Sequence, residues 1–324
     1  MPRQARLDFP GTLHHVIVRG IERTAIVKDD ADRADFVGRL GRLSYETGTA
    51  IYAWSLMTNH AHILLRTSEV GLSKYMRRLL TGYAVNFNLR HHRHGHLFQN
   101  RYKSIVCEED AYFQELVRYI HLNPRRAKLV KDSAAFDKYC WSGHSALVGQ
   151  VARAWQDTDY VLSWFGKNTT EARRSYKSFV NAGMDSGKRP DLVGGGLMRS
   201  KGGWSGVMSM RRSGQTEASD DRILGDGEFV SKILHEADSR VQSQFPCTAD
   251  KKQLHRVICQ FCRLNKLTEK EIRSGSRRRE IAQARSRLVV LLVREYGASF
   301  AECARQLKVT TSAIAKIVSR SNSS

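Results

Sequence analysis

Two strand-like runs that abut one another constrain the fold of this chain most. Thr49 to Thr58 is rich in aromatic and β-branched residues, and Met57 to Leu65 (Met-Thr-Asn-His-Ala-His-Ile-Leu-Leu) follows with almost no interval. Strands joined by so short a connection pair as an antiparallel hairpin. Within the second run His60 and His62 are separated by one residue. Successive side chains of a strand point to opposite faces, so both histidines share a face and can grip one ion. The alternative is a pair of hydrogen-bonded core histidines; two ligands would suit a catalytic divalent ion with open positions better than a closed structural zinc site.

The neighbouring segments extend this hairpin into a sheet backed by helices. Leu13 to Arg19 is short, β-branched and bounded by Pro10-Gly11 and Gly20, which reads as a strand. Asp29 to Thr47 carries Phe36, Leu40 and Leu43 at helical spacing and ends before Gly48. Leu72 to Arg90 is a second amphipathic helix, Leu97 to Cys107 a strand or hairpin, and Asp110 to Asn123 a third helix stopped by Pro124. The order β, α, β, β, α, hairpin, α describes an α+β domain of ferredoxin-like or RNA-recognition-like type.

Charge selects the class of partner. Fifty-three Lys plus Arg against 32 Asp plus Glu give a net charge of +21 over 324 residues, a field that favours a polyanion, nucleic acid above all. The N-terminal residues lack the apolar core of a secretory signal, and the aliphatic run Leu288 to Val293 is far too short to cross a bilayer. The chain therefore reads as a soluble cytoplasmic, nucleoid-associated protein. Its six scattered cysteines read as reduced. Cys259 and Cys262 form a lone C-x-x-C with His255 one turn earlier, set among Leu254, Val257, Ile258, Phe261 and Leu264. Core packing is the expected role, because no second ligand pair follows.

The third helix carries Tyr119-Ile-His-Leu-Asn123, in which Tyr119 and Asn123 lie one turn apart on one face. Packed on the sheet, such a helix could bring Asn123 to a metal as an oxygen ligand and Tyr119 to that ion's substrate. On spacing alone, a core tyrosine and a C-capping asparagine explain the same pattern. Four segments taken together resemble the single-tyrosine HUH transposases, most nearly their REP-associated tyrosine transposase branch. They are Arg19-Gly20, His60-Ala61-His62, Gly95 to Ser104 (Gly-His-Leu-Phe-Gln-Asn-Arg-Tyr-Lys-Ser) and Tyr119 to Ala127 (Tyr-Ile-His-Leu-Asn-Pro-Arg-Arg-Ala). The resemblance covers residues 1 to about 150 and includes Trp141-Ser142. It implies a Mg or Mn ion held by His60, His62 and Asn123. It also implies that Tyr119 is a nucleophile that cuts single-stranded DNA, leaving a 5′-phosphotyrosine link and a free 3′-OH, with REP-type hairpins as substrates. Ala61 is smaller than the bulky apolar residue that often separates the two histidines in such proteins. Arg101 and Lys103 flank Tyr102, a basic–aromatic–basic pattern suited to phosphate contact and base stacking, and Arg19 and Arg23 add to it. The His91 to His96 cluster reads as phosphate-facing or solvent-exposed.

The remainder divides into a helical extension and Gly/Ser-rich linker over 151–220 and a helical region over 221–324. In the latter, Thr268-Glu-Lys-Glu271 and Ser299-Phe-Ala-Glu302 read as capping boxes, Ser276 to Tyr296 as a long helix, and the last two short helices as a helix-turn-helix. This stretch resembles the C-terminal duplex-DNA-binding domain of the replication initiator DnaA, with Thr310, Thr311 and Lys316 as candidate contacts; a helical bundle for packing or dimerisation is the other reading. The functional expectation is a metal-dependent transposase. The alternative is a non-catalytic sequence-specific DNA-binding regulator, and a hydrolytic nuclease stands third.

Overall fold

The structure, a computed structural model, describes residues 7–184, 189, 192, 219–244, 251–274, 276 and 278–321. The glycine clusters expected in a linker, 194–196 and 202–203, and Arg277 lie outside the described residues. The chain divides into two compact units, Met1–Ile233 and Leu234–Ser324. Among the described residues no helix is long and apolar enough to cross a membrane.

The first unit begins with β1 (Leu13–Arg19), followed by α1 (Asp30–Thr47), β2 (Ala50–Leu56), β3 (His60–Arg66), α2 (Leu72–Arg90), β4 (Lys103–Cys107) and α3 (Glu109–His121). Local chemistry fixes the helix ends: the Asp29 carboxylate accepts from the Asp32 amide at 3.0 Å to open α1, and Gly48 closes it at φ +66°. β2 and β3 form the expected antiparallel hairpin. The sheet order is β2-β3-β1-β4-β5, and its first four strands are all antiparallel, the ferredoxin-like α+β arrangement. Of the stretch 97–107 only the last five residues form a strand, with Phe98 making an isolated bridge to Gly20. The fifth strand, β5 (Ile223–Leu224), joins β4 in parallel.

Strand alternation gives the sheet two different faces. Val16, Val18, Trp54, Ile63 and Leu65 point to one side, where Phe36 and Leu40 of α1 and Tyr75, Leu79 and Tyr83 of α2 cover them. Tyr52, Ala53, Leu64 and Ile105 point to the other and meet Phe113, Leu116, Val117 and Ile120 of α3. Each fully buried side chain of this kind contributes about 1.5–3 kcal/mol. After α3 come α4 (Asn123–Arg126), α5 (Ser133–Lys138), α6 (His144–Leu147), α7 (Thr158–Ser163) and α8 (Thr169–Ala182). Val161, Tyr176 and Val180 belong to the same core as α3, so this core continues past residue 150. It also contains a buried polar chain: Tyr176 Oη bridges His121 Nδ1 at 2.9 Å and His144 Nδ1 at 2.7 Å, and His144 Nε2 donates to Asp137 at 3.1 Å.

The division between the units falls within α9 (Gly227–Gln244). The second unit continues with α10 (Lys251–Leu264), α11 (Glu269–Arg273), α12 (Arg279–Arg294), α13 (Phe300–Leu307) and α14 (Thr311–Ser321), around a core of Leu254, Ile258, Leu288, Leu292, Leu307 and Ile314. Thr268 and Glu271 form a complete capping box. At Ser299 only the forward half exists: its hydroxyl accepts from the Glu302 amide at 3.1 Å. The Glu302 carboxylate instead pairs with Gln306 and Arg305, because its burial draws it to those partners. Lys308, at φ +52°, ends α13, and a three-residue connection leads into α14.

Candidate active site

The site is assembled on the α3 side of the sheet. Strand register sets Arg19 opposite His60 and Ile17 opposite His62 across β1 and β3. Ile17 also faces Lys103 of β4, and His62 faces Ser55 of β2. Directly paired residues share a face, so Lys103, Ile17, His62 and Ser55 form one row. His15, two residues before Ile17, is the diagonal neighbour of His62: their rings stack at 5.1 Å between centroids, with His15 Nε2 2.9 Å from His62 Nδ1. The His60 and His62 rings are 5.3 Å apart, edge to face.

Helix α3 lays Tyr119 over this cluster. The phenol ring centroid is 5.8 Å from that of His62 and 6.0 Å from that of His15, both edge to face. The helix does not simply end at Pro124 as its sequence suggests. It breaks at Leu122, and Pro124 sits in the first turn of α4, where its missing N–H costs little. Arg126, on that short turn, donates to the Tyr119 carbonyl at 3.0 Å and holds its guanidinium carbon 5.1 Å from the centre of the phenol ring. Asn123 lies one turn beyond Tyr119, and its side-chain nitrogen, like Arg126 Nε, is buried without a hydrogen-bond partner.

Burial keeps both strand histidines neutral. It lowers the His60 pKa to about 4, helped by the Arg19 charge. It holds His62 well below the usual value, with His15, His60, Arg19 and Arg126 adding to the effect. The His60 Nδ1 lies 2.6 Å from the Asn59 carboxamide oxygen, an acceptor only, so its proton is on Nδ1 and Nε2 keeps its lone pair. His62 Nδ1 is taken up by its hydrogen bond with His15 Nε2, which leaves Nε2 as the ring nitrogen that bond does not hold. Two neutral imidazoles on one face of β3, with ring centroids 5.3 Å apart, are a donor pair that fits a divalent cation with open positions.

The basic residues expected to bind DNA occupy two places. Arg19 and Arg23 are exposed at the His60 end of β1, tied to it by the Asn59 side chain donating to the Arg23 carbonyl at 3.0 Å and by the Gln99 amide donating to that of Arg19 at 2.8 Å. Arg101 and Lys103 are exposed on the segment that follows Gln99. Tyr102 between them is buried against the α1–α2 face and offers no ring for base stacking, which corrects the reading of that triplet. His91 is likewise not phosphate-facing: its Nε2 bonds Asp32 at 2.8 Å at the start of α1. In the second unit Thr311 and Lys316 are exposed on α14, and the Thr310 hydroxyl caps it by accepting from Ala313 at 3.2 Å. Sequence reasoning passed over His15 and Arg126. His15 had a signal, since it alternates in phase with Leu13 toward the α3 side; its link to His62 needs the strand register.

Residues 10–123 match the family described as "Transposase IS200 like". This stretch of the chain is thus similar to the IS200-like transposases. A solved structure described as "Structure of the REP associates tyrosine transposase bound to a REP hairpin" is similar at a TM-score of 0.39 and 16% identity, over 48% of this chain and 91% of that one. No curated protein matches the chain.

Proposed function

We propose that this chain is a metal-dependent transposase that cuts and rejoins single-stranded DNA, with Tyr119 as nucleophile. The observation that carries the reading is the phenol of Tyr119 set 5.8 Å from a histidine that belongs to a neutral, buried pair. The Tyr119 oxygen attacks a backbone phosphorus, forming a phosphotyrosine bond and breaking the bond to the 3′ oxygen. The phenolic proton is lost to solvent, and the departing 3′ oxygen takes up a proton to become a 3′-OH. Reversal, with a different 3′-OH as attacking group, joins a new pair of ends and returns the tyrosine. The link conserves the energy of the phosphodiester, which hydrolysis would discard.

His60, His62 and Asn123 would hold a Mg or Mn ion. When bound, such an ion supplies positive charge that favours phenolate and neutralises charge growing on the phosphate. The protein's own contribution is clear from its residues. Arg126 keeps a cation beside the phenol, whose ordinary pKa near 10 makes it a poor nucleophile at pH 7. Arg19, Arg23, Arg101 and Lys103 attract and align the DNA backbone. REP-type hairpins are the proposed substrate class, and α13–α14 with Thr310, Thr311 and Lys316 the proposed duplex contact.

The test is an SDS-resistant protein–DNA adduct on a labelled single-stranded hairpin with added Mg or Mn. Tyr119→Phe should abolish the adduct and leave DNA binding nearly intact. An adduct of normal yield in that variant refutes the assignment. Cutting without an adduct indicates a hydrolytic nuclease, and binding without cutting a regulator.

A further inference from the structure

The second unit contains a group of metal-ligating side chains unrelated to the Tyr119 site. On α10, His255 and Cys259 are four residues apart and share a face. The nearest other cysteines in the sequence are Cys262 and Cys247, the latter outside the described residues, but the fold supplies another donor. Glu269, in the first turn of α11, returns its carboxylate to the same place, and the ligand atoms of His255, Cys259 and Glu269 all lie within 4.8 Å of one another. Cys259 Sγ is 3.7 Å from His255 Nε2 and 2.9 Å from Glu269 Oε1. A tetrahedral zinc ion with Zn–S of about 2.3 Å and Zn–N of about 2.0–2.1 Å holds its sulfur and nitrogen about 3.6 Å apart. The His255–Cys259 pair is already at that spacing.

The local arrangement leaves these donors available. Arg273 pairs with the other Glu269 oxygen, Oε2, at 2.9 Å, which orients the carboxylate and leaves Oε1 toward the thiol. Cys262 is buried in the helical core and is not one of the three. The first unit's comparable group, Asp29, Asp32 and His91, is different. Arg90 donates to both oxygens of Asp29 and to one of Asp32, and His91 Nε2 bonds the other, so every ligand atom of that group is already engaged.

We propose that His255, Cys259 and Glu269 form a zinc-binding site that clamps α10 to α11, with a fourth position open to water. Binding replaces the Cys259 S–H bond by a sulfur–metal bond and releases one proton to solvent, so affinity rises with pH. The clamp closes the turn between α10 and α11, and Arg285 of α12 extends the joint by donating to the Ile272 carbonyl at 2.9 Å.

The test uses the full-length chain and cobalt(II) as a probe. The Tyr119 site offers no sulfur, so a thiolate-to-cobalt charge-transfer band does not arise there, and the variants at His255, Cys259 and Glu269 assign it. We expect one band-forming equivalent, displaced by zinc, absent in Cys259→Ser, and bound at least about tenfold more weakly in His255→Ala and Glu269→Gln. The band persists in Cys262→Ala and in His60→Ala. His255 is exposed, so its replacement leaves the fold intact and decides the matter even where Cys259→Ser does not fold. No thiolate band in the wild-type chain, a band that survives Cys259→Ser, or unchanged affinity in His255→Ala overturns the proposal.

Discussion

Replacing His15 with leucine tests the logic of the Tyr119 site without touching any proposed ligand. His15 is fully buried and lies between the sheet and α3, with its Nε2 2.9 Å from His62 Nδ1. Its removal leaves His62 Nδ1 buried and unpaired, at a cost of about 1–3 kcal/mol. It also releases the tautomer, so that the single proton of the neutral ring can move to Nε2, the atom meant for the metal. Loss of such an orienting partner lowers metal affinity about 10–100-fold, or about 1.4–2.7 kcal/mol. Calorimetric titration of the full chain with Mn2+ measures this directly, alongside adduct yield as a function of Mn2+ concentration. The expected pattern is a higher Mn2+ requirement with much of the yield recovered at saturation. His15→Gln keeps an acceptor oxygen and should restore part of the affinity. A His15→Leu chain that melts normally and binds Mn2+ within twofold of wild type would show that His15 does not position His62.

Three other perturbations probe separate parts of the structure. His14 is buried with neither ring nitrogen hydrogen-bonded, and burial lowers its pKa to about 4 from an unfolded value of 6.5. The unfolded chain therefore binds more protons between those values, and stability is lost as pH falls through that window. His14→Leu should stabilise the first unit by about 1–3 kcal/mol at pH 7.5, since it removes unsatisfied polar atoms, and by about 1.4 kcal/mol more at pH 5.5. Urea denaturation at the two pH values checks this, and an advantage that stays flat with pH counts against it. Arg126→Gln removes the cation beside Tyr119, and the pH profile of adduct formation should move up by about one unit, a tenfold loss of phenolate at neutral pH; an unmoved profile excludes an electrostatic role. Lys316→Ala should weaken duplex binding and reduce its salt slope by about one, with the Tyr119 adduct unaffected. An unchanged slope means that α14 does not meet phosphate.

What the sequence reveals here is what local geometry decides. The β2–β3 hairpin, the start of α1 at Asp29 and its stop at Gly48, the Thr268–Glu271 box and the phase of His60 and His62 depend on residues within a few positions of each other. Strand register depends on the whole sheet, so the row Lys103–Ile17–His62–Ser55 and the diagonal contact of His15 could not be read. The two residues of β5 are too few for any periodic signal, and their partner lies in β4, more than a hundred positions earlier. Arg101-Tyr102-Lys103 is instructive. An aromatic between two basic residues suits base stacking, yet the same pattern is the alternation of a strand edge, and there the aromatic turns inward while both charges stay in water.

The two faces of the sheet explain how one small domain can both fold and carry reactive groups. The face under α1 and α2 carries the cluster of Val16, Val18, Trp54, Ile63 and Leu65 that supplies packing energy, with His14 buried in phase with it. The opposite face admits His15, His62 and, beyond them, His121 and His144 among its apolar residues, each buried and each needing a partner. Burial penalises the imidazolium form, which is why His62, His121 and His144 are all held below the usual histidine pKa. His144 has both ring nitrogens engaged, by Tyr176 and Asp137, whereas His121 is bonded through Nδ1 alone, to the same Tyr176 hydroxyl. His62 is bonded through Nδ1 to His15, and its ring is left neutral with the Tyr119 ring edge to face at 5.8 Å. A neutral imidazole, with one ring nitrogen free of its proton, is the state a divalent cation needs, so the energetic cost of burying this histidine and its proposed use as a ligand have the same physical origin.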